Sequence, residues 1–173
     1  MTEKVFISLG TNIGDLEQNL CTALCEICRD CKLLSASSIY ETEPWGMKEQ
    51  QNFLNAMIWI EYDNEPIELL YYLQAIEENI GKNKGGKWGP RKIDLDIILF
   101  GNRIINTMDL IIPHKYLLFR DFFLIPLLEI APNITYPVDG KRLSEYSERI
   151  PPQLKTIISK KEVNLWRDTI TSL

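Results

Sequence analysis

The chain has 173 residues and a net charge of -5, which suits one domain with a full core that needs no disulfide support. The acidic balance argues against general nucleic-acid binding, because that requires a basic surface. The N-terminus has no apolar signal region, and no apolar run is long enough to cross a bilayer. We therefore expect one domain over residues 1–173 that is soluble and cytoplasmic, with no nucleic-acid or membrane partner.

The first predicted strand, residues 5–9, runs into a turn that contains two glycines and then into a helix. Asp15 and Gln18 have the spacing of a capping box at the start of this helix. The turn lacks the Lys-Ser/Thr ending of a phosphate-binding loop, so a plain connection between strand and helix is favoured. The buried stripe of the helix is predicted to consist of Leu16, Leu20, Ala23, Leu24 and Ile27.

All four cysteines lie in this helix or just after it. Cys21, Cys25 and Cys28 follow helical spacing beside the buried stripe, which is typical of small core residues in a reduced protein. Cys28 and Cys31 also have the spacing of a metal-binding knuckle. A continuous helix would separate the four sulfurs too far for one tetrahedron, so packing is favoured over a zinc or iron–sulfur site.

Residues 34–42 predict a second strand, and a Pro-Trp-Gly cluster then begins a long loop that ends near residue 52. Residues 53–62 alternate as a strand does. One face is predicted to carry Leu54, Ala56, Ile58 and Ile60, and the other Phe53, Asn55, Met57 and Trp59. Phe53 and Asn55 together suit a flat heterocycle; the alternative is a phenylalanine packed under a loop with a capping asparagine.

Pro66 begins a second predicted helix, and Gly81 stands at the position after its end that favours a left-handed residue. The buried face of this helix is predicted to consist of Leu69, Leu70, Leu73, Ile76 and Ile80. A basic, glycine-containing loop follows over residues 82–87. It leads directly into the segment that carries most of the functional information.

Residues 93–100 predict a strand in which Asp94 and Asp96 share one face, while Ile93, Leu95, Ile97 and Leu99 share the other. Two carboxylates at this spacing repel each other unless a cation lies between them. Magnesium binds one or two carboxylates and completes its shell with water and phosphate oxygens. A solvated outer face is the alternative, but Arg91 and the basic loop before it favour a metal–phosphate site.

The rest of the chain is predicted to contain a short segment at residues 104–105, a loop with Pro113 and His114, and an apolar turn or short helix that ends at Ile130. Residues 159–173 have no clear pattern. The order βαββαβ predicts a ferredoxin-like α+β sandwich, with an antiparallel sheet that has helices on one face and substrate loops on the other.

The segment Trp88-Gly89-Pro90-Arg91-x-x-Asp94-Leu95-Asp96 and the residues after it resemble the signature of the 6-hydroxymethyl-7,8-dihydropterin pyrophosphokinase family of the folate pathway. The resemblance covers roughly residues 4–140 in order. Further matching blocks are Gly10-Thr11-Asn12, Phe53-Leu54-Asn55, Ile105-Asn106-Thr107, Pro113-His114 and Glu129-Ile130-Ala131-Pro132.

The resemblance implies transfer of pyrophosphate from ATP to the hydroxymethyl group of a reduced pterin, with release of AMP. Catalysis then depends on positioning and charge neutralisation. Asp94 and Asp96 are implied to hold two magnesium ions, and Arg91 and Lys82 to stabilise charge on the phosphates. The partners implied are ATP and the reduced pterin, and we expect a monomer.

The family match also implies two sets of binding residues. Those on the ATP side are Gln74, Glu77, Lys84, Trp88, Arg91, Ile97, His114, Lys115 and Arg120. Those on the pterin side are Thr42, Pro44, Trp45, Phe53, Asn55, Asp94 and Phe122. The loops at residues 43–52 and 82–91 are expected to close over both substrates, and for Glu77 plain surface charge is the alternative.

Some positions depart from the family pattern. Lys82 replaces a common arginine, Lys115 an expected tyrosine, and Asp109 a residue that is often basic, while Asp121 places an acid beside Arg120. These departures bear on ATP affinity and turnover. Two alternatives remain open: a catalytically weak nucleotide- or pterin-binding module of the same fold, and a ferredoxin-like RNA-binding or interaction domain, against which the acidic balance argues.

Overall fold

The computed structural model describes residues 2–46, 49–81 and 90–173. Its strands are β1 (Glu3–Thr11), β2 (Lys32–Ala36), β3 (Ile39–Thr42), β4 (Phe53–Tyr62), β5 (Asp94–Phe100), β6 (Ile105–Asn106), β7 (Ile111–Ile112) and β8 (Ile157–Lys161). Its α-helices are α1 (Leu16–Ile27), α2 (Pro66–Ile80), α3 (Asp121–Ile130), α4 (Leu143–Ser147) and α5 (Asn164–Ser172). Short 3-10 turns lie at Leu117–Phe119 and Pro152–Leu154.

The main sheet is antiparallel, with strand order β5-β1-β4-β3-β8, and β2 also pairs with β4. The segment predicted as one strand over residues 34–42 is divided into β2 and β3. Ser37 lies in the break, where its N–H donates to the Met57 carbonyl oxygen and its hydroxyl accepts from the Met57 N–H. The predicted ferredoxin-like α+β class is confirmed.

Each face of the sheet packs against its own set of helices. On one face, residues such as Ile58 and Ile97 contact the apolar sides of α1 and α2, including Leu24 and Leu73. On the opposite face, the residues in contact are Phe6, Met57, Phe123, Leu124 and Leu143, from β1, β4, α3 and α4. The expectation that helices lie on one face only is therefore wrong, because α3 and α4 pack on the other face.

The predicted ends of the first two helices are confirmed. The Asp15 carboxylate accepts from the Gln18 N–H at 3.1 Å, which caps the start of α1. Gly81 follows α2 with φ of 97°, a left-handed conformation that favours glycine. Both helices are thus fixed by local sequence as well as by packing.

The four cysteines differ in environment. Cys21 and Cys31 are buried, Cys28 is half-buried and Cys25 is exposed, so the packing expected for Cys25 is wrong. Burial raises the pKa of the Cys28 thiol to about 11. Because α1 ends at Ile27, Cys31 lies beyond the helix.

A β-bulge in β5 overturns part of the predicted alternation. In the β1·β5 ladder Phe6 pairs with Leu99 but Ile7 pairs with Ile97, which leaves Ile98 as the extra residue. Leu99 consequently packs on the α3 side, while Ile97 packs on the α1–α2 side. The prediction that Leu99 shares a face with Ile97 is wrong, because the bulge reverses the alternation after the two aspartates.

The C-terminal residues, which the sequence pattern left unassigned, complete the sheet and cover a helix. Strand β8 pairs with β3, and α5 packs on α1. The indole N–H of buried Trp166 donates to the Ser37 carbonyl oxygen at 2.9 Å. Within the described ranges, no helix is long and apolar enough to span a membrane.

Candidate active site

One cavity of about 290 Å³ opens on the α3 side of the sheet, where β1 ends and β4 and β5 begin. It brings together side chains that lie more than 100 positions apart in the sequence, from Ser8 to Phe123. The residues that line it are Ser8, Gly10, Thr42, Glu43, Trp45, Phe53, Asn55, Arg91, Asp94, Asp96, His114, Lys115, Tyr116, Arg120, Phe122 and Phe123. Most of the predicted ligand contacts therefore meet in one place.

The floor of the cavity is set by the register of three neighbouring strands. Gly10 of β1 pairs with Asp94 of β5 on one side and with Asn55 of β4 on the other. Paired residues of an antiparallel sheet point to the same face, and neighbouring strands lie about 4.8 Å apart, so the backbones of Asp94 and Asn55 are roughly 10 Å apart. Because Gly10 has no side chain, the space between the carboxylate and the amide stays open.

The aspartate pair is partly neutralised by cations of the protein. Arg91 Nη1 lies 2.6 Å from Asp94 Oδ1, and the Arg120 guanidinium also lowers the pKa of Asp96. Burial and the neighbouring Asp94 carboxylate act more strongly in the other direction and raise the pKa of Asp96 to about 7. A pair whose members resist joint ionisation has the electrostatics of a site for a divalent cation.

His114 stands beside this pair as a neutral side chain. Burial, with Arg120 and Lys115 nearby, lowers the pKa of His114 to about 4. Its Nδ1 accepts from the Tyr116 N–H at 3.2 Å, which places the proton of the neutral ring on Nε2, 3.8 Å from Asp96 Oδ1. The ring can therefore donate one hydrogen bond towards the cavity. Its position is fixed by the bulge, because the His114 N–H donates to the Ile98 carbonyl oxygen.

Arg120 is a buried cation surrounded by aromatic rings. Its guanidinium carbon lies 4.4 Å from the centre of the Tyr116 ring and between 5.2 and 5.4 Å from those of Trp45, Phe122 and Phe123. Burial lowers the pKa of this guanidinium, which the two aspartates oppose. The rings hold the charge close to the carboxylates, where an anionic substrate would also lie.

The other end of the cavity has apolar walls and a polar edge. The Asn55 amide Nδ2 donates to Thr42 Oγ1 at 2.7 Å, which fixes the orientation of the amide. Phe53 and Phe122 line the same space, and Trp45 contacts Phe122 edge-on with ring centres 6.3 Å apart. Aromatic side chains beside a fixed amide suit a flat heterocycle with hydrogen-bonding groups on its rim.

Several predicted contacts lie elsewhere. Gln74 is exposed on α2 and does not line the cavity, and neither does Pro44. The Ile97 side chain is buried between the sheet and the helices, which excludes a side-chain contact from it to a nucleotide in this cavity. Lys82, Lys84 and Trp88 lie outside the described residues.

Glu77 is a structural residue of the site. It is 3% exposed, and its Oε1 accepts from the Leu95 N–H at 2.7 Å. Leu95 stands between the two aspartates on an edge strand, so this bond fixes their backbone. The alternative of plain surface charge is wrong for Glu77, because tertiary packing covers it.

Asn12 joins the segments that flank the cavity and was missed as a functional residue. Its Oδ1 accepts from the Arg91 N–H at 2.7 Å, and its own N–H donates to the Arg91 carbonyl oxygen. Its amide Nδ2 donates to Gln50 Oε1 and the Gln51 carbonyl oxygen. Ser8 was also missed, although alternation along β1 places it on the face of Gly10.

The site places paired carboxylates and arginines next to an aromatic pocket in a ferredoxin-like α+β fold, which is the arrangement expected of a phosphoryl-transferring enzyme. Within the described residues no three His, Cys, Asp or Glu side chains form a metal-binding group. Residues 6–132 match the family model for 7,8-dihydro-6-hydroxymethylpterin-pyrophosphokinase (HPPK). The chain belongs to this family.

Curated relatives agree with this assignment. The 2-amino-4-hydroxy-6-hydroxymethyldihydropteridine pyrophosphokinase of Aquifex aeolicus is 38% identical over 142 residues, which cover 82% of this chain and 89% of the relative. The folic acid synthesis protein fol1 of Pneumocystis carinii is 40% identical over 149 residues, but the match covers 86% of this chain and 20% of that protein. The chain thus corresponds to about a fifth of the fol1 protein.

Solved structures support the fold. A wild-type HPPK-DHPS of Plasmodium falciparum superposes with a TM-score of 0.69 at 16% identity, covering 86% of this chain and 45% of that one. A second HPPK-DHPS, in complex with substrates, gives a TM-score of 0.68 at 17% identity over 86% of this chain and 43% of that one. The chain spans less than half of either protein.

Proposed function

We propose that this enzyme transfers pyrophosphate from ATP to 6-hydroxymethyl-7,8-dihydropterin, giving AMP and the pterin diphosphate in folate biosynthesis. The pterin hydroxyl oxygen forms a bond to the β-phosphorus, the bond from that phosphorus to the oxygen bridging to the α-phosphorus breaks, and AMP leaves with the bridging oxygen. The hydroxyl proton is released. The observation that carries the proposal is the alignment of Asp94, Gly10 and Asn55 across three strands.

This alignment gives the reaction its geometry. Asn55, fixed by Thr42, binds the hydrogen-bonding edge of the pterin, while Phe53 and Phe122 cover its faces. The pterin then lies over the open floor at Gly10, and its hydroxymethyl group points towards the aspartates. Holding nucleophile and phosphate in contact supplies much of the rate acceleration in phosphoryl transfer.

Charge neutralisation is the second contribution. Arg91 and Arg120 are the described cations nearest the aspartates, and we assign them to the transferring phosphates, with Lys115 towards the nucleotide. Neutral His114 directs the hydrogen-bond donor at its Nε2 into the cavity. Lys82 and Lys84 remain predicted phosphate contacts, and Trp88 a predicted lid residue.

The carboxylate pair fits magnesium. Asp94 raises the pKa of Asp96, so a bound cation would relieve their repulsion, and two carboxylates with phosphate oxygens are the donor set that magnesium prefers. We propose that Asp94 and Asp96 hold two ions. Bound magnesium supplies charge neutralisation on the β- and γ-phosphates.

The test is formation of AMP from ATP by the purified chain with and without the reduced pterin. We expect magnesium-dependent AMP in equal amount to the pterin diphosphate, and none above background without pterin. Asp168→Asn removes a carboxylate on the exposed side of α5, outside the cavity, and should form AMP as the wild type does. Binding of both ligands without AMP would instead identify a catalytically silent module, and ADP as product would refute pyrophosphate transfer.

The wider setting is also part of the proposal. We propose that residues 1–173 form a single domain that works in the cytoplasm as a monomer, without a nucleic-acid or membrane partner. The net charge of -5 supports the absence of nucleic acid. Light scattering at the assay concentration tests the oligomeric state, and a mass of twice 20.1 kDa would contradict it.

A further inference from the structure

The Asp121 carboxylate is buried beside the cavity but faces away from it. It is 4% exposed and begins α3, between the pocket residues Arg120 and Phe122. Its Oδ2 accepts from the N–H groups of Thr156 and Ile157 at 2.7 and 2.9 Å. Its Oδ1 accepts from the Thr156 hydroxyl at 2.7 Å and from the Phe122 N–H at 2.9 Å. The sequence places an acid beside Arg120, whereas the structure shows a carboxylate with four hydrogen-bond donors.

Three of those donors belong to the segment that holds the opposite wall of the cavity. The Thr156 carbonyl oxygen accepts from the Glu43 N–H at 2.9 Å, and Ile157 pairs with Thr42 in the β3·β8 ladder. Thr42 in turn accepts the hydrogen bond that orients Asn55. A short chain of hydrogen bonds thus runs from the helix of Phe122 to the amide on the far side of the pocket.

We propose that Asp121 is a positioning residue for the pterin: its carboxylate sets the separation between the Phe122 wall and the Thr42–Asn55 wall. This inference rests on the proposed function, because it assigns both walls to the pterin. Thr156 and Ile157, which donate to Asp121, lie past the end of the family match at residue 132. The C-terminal segment therefore contributes to substrate binding without touching the substrate.

A carboxylate suits this place because ionised oxygens only accept, and each accepts two hydrogen bonds. An amide in its place would direct its own N–H groups against two of the four donors. The mismatch would move α3 relative to β8 and so change the width of the pocket. Such a shift should weaken pterin binding more than ATP binding, because β5 and Arg91 stay in place, whereas Arg120 adjoins α3.

The experiment compares the affinities for a pterin and for a non-hydrolysable ATP analogue, measured separately by calorimetry on Asp121→Asn, Thr156→Val and Thr156→Ser. Asp121→Asn should weaken pterin binding roughly tenfold and Thr156→Val roughly threefold to tenfold, with a smaller loss of affinity for the ATP analogue. Thr156→Ser keeps the hydroxyl donor and should bind the pterin with wild-type affinity. Asp168→Asn is the control for a surface carboxylate.

A purely structural role would lower the melting temperature and leave both affinities of the folded protein equal to wild type, which would overturn the inference. Equal weakening of both ligands would overturn it as well. If Asp121→Asn does not fold, the comparison of pterin affinity between Thr156→Val and Thr156→Ser still tests the inference. If the wild-type protein does not bind the pterin at all, the proposed function is refuted. If the wild type binds the pterin and the variants bind it with the same affinity, only the role of Asp121 is refuted.

Discussion

Replacing Gly10 with alanine tests the alignment on which the proposed mechanism depends. A Cβ at Gly10 would lie 2.8 Å from Asn55 Oδ1, whereas ordinary contact begins at 3.4 Å, so the amide must move by the difference, 0.6 Å. Asn55 has little freedom to move, because its other end donates to Thr42 Oγ1 at 2.7 Å. The added methyl group therefore disturbs the amide without removing it.

Misplacing a hydrogen-bonding amide by this amount should cost about 1–2 kcal/mol of pterin binding, which is roughly fivefold to thirtyfold in affinity. Stability should change little, because alanine is favoured over glycine in a strand by about 0.5–1 kcal/mol and this offsets part of the close contact. Titration calorimetry with a pterin, in the presence of a non-hydrolysable ATP analogue and magnesium, measures the effect.

The matched control is the same substitution without the amide. In an Asn55→Ala background the close contact is absent, so Gly10→Ala should then cost nothing further, and the double-mutant cycle should show a coupling close to the whole effect. Wild-type pterin affinity in Gly10→Ala would refute the alignment. So would an equal loss in both backgrounds, because the effect would then not pass through Asn55.

Three further predictions concern the aspartates and the segment that holds Arg91. Asp96→Asn should lower magnesium-dependent AMP formation at least 100-fold, which is roughly the cost of losing a group that stabilises transition-state charge. The melting temperature should not fall, because the substitution relieves the repulsion with Asp94. Near-normal turnover would exclude the metal role. Because the pKa of Asp96 is raised to about 7, its proton must leave before a cation binds, so affinity for magnesium with an ATP analogue should fall as pH is lowered from 7 to 5, by up to about tenfold per pH unit; a flat calorimetric profile would contradict this. Asn12→Ala removes the acceptor of the Arg91 N–H and the donor to Gln50, and it should lower the urea-derived free energy of unfolding by about 2–3 kcal/mol. Asn12→Asp keeps the acceptor and should lower it by about 1 kcal/mol. Equal losses would show that the Arg91 hydrogen bond contributes nothing.

The sequence alone determined the parts of the site that depend on local periodicity. Alternation with a period of two placed Asp94 and Asp96 on one face of β5, and Phe53 and Asn55 on one face of β4, and all four line the cavity. The capping residues Asp15 and Gly81 were equally visible, because helix ends are fixed by neighbours in the sequence. The family resemblance added the reaction, which no periodicity contains.

Tertiary structure decided whatever depended on distant partners. The bulge at Ile98 arises from the pairing of β5 with β1, and it placed Leu99 on the opposite face from Ile97. Glu77 reads as a surface charge on a helix until the fold brings the Leu95 N–H to it.

Asp121 shows the same limit most clearly. The sequence shows only an acid beside Arg120, but the four donors to Asp121 include three from residues 35 and 36 positions further along the chain. A side chain's charge is written in the sequence, whereas its hydrogen-bond partners are chosen by the packing of strands and helices. For that reason the sequence could predict candidate reacting groups, and only the fold revealed what holds them in place.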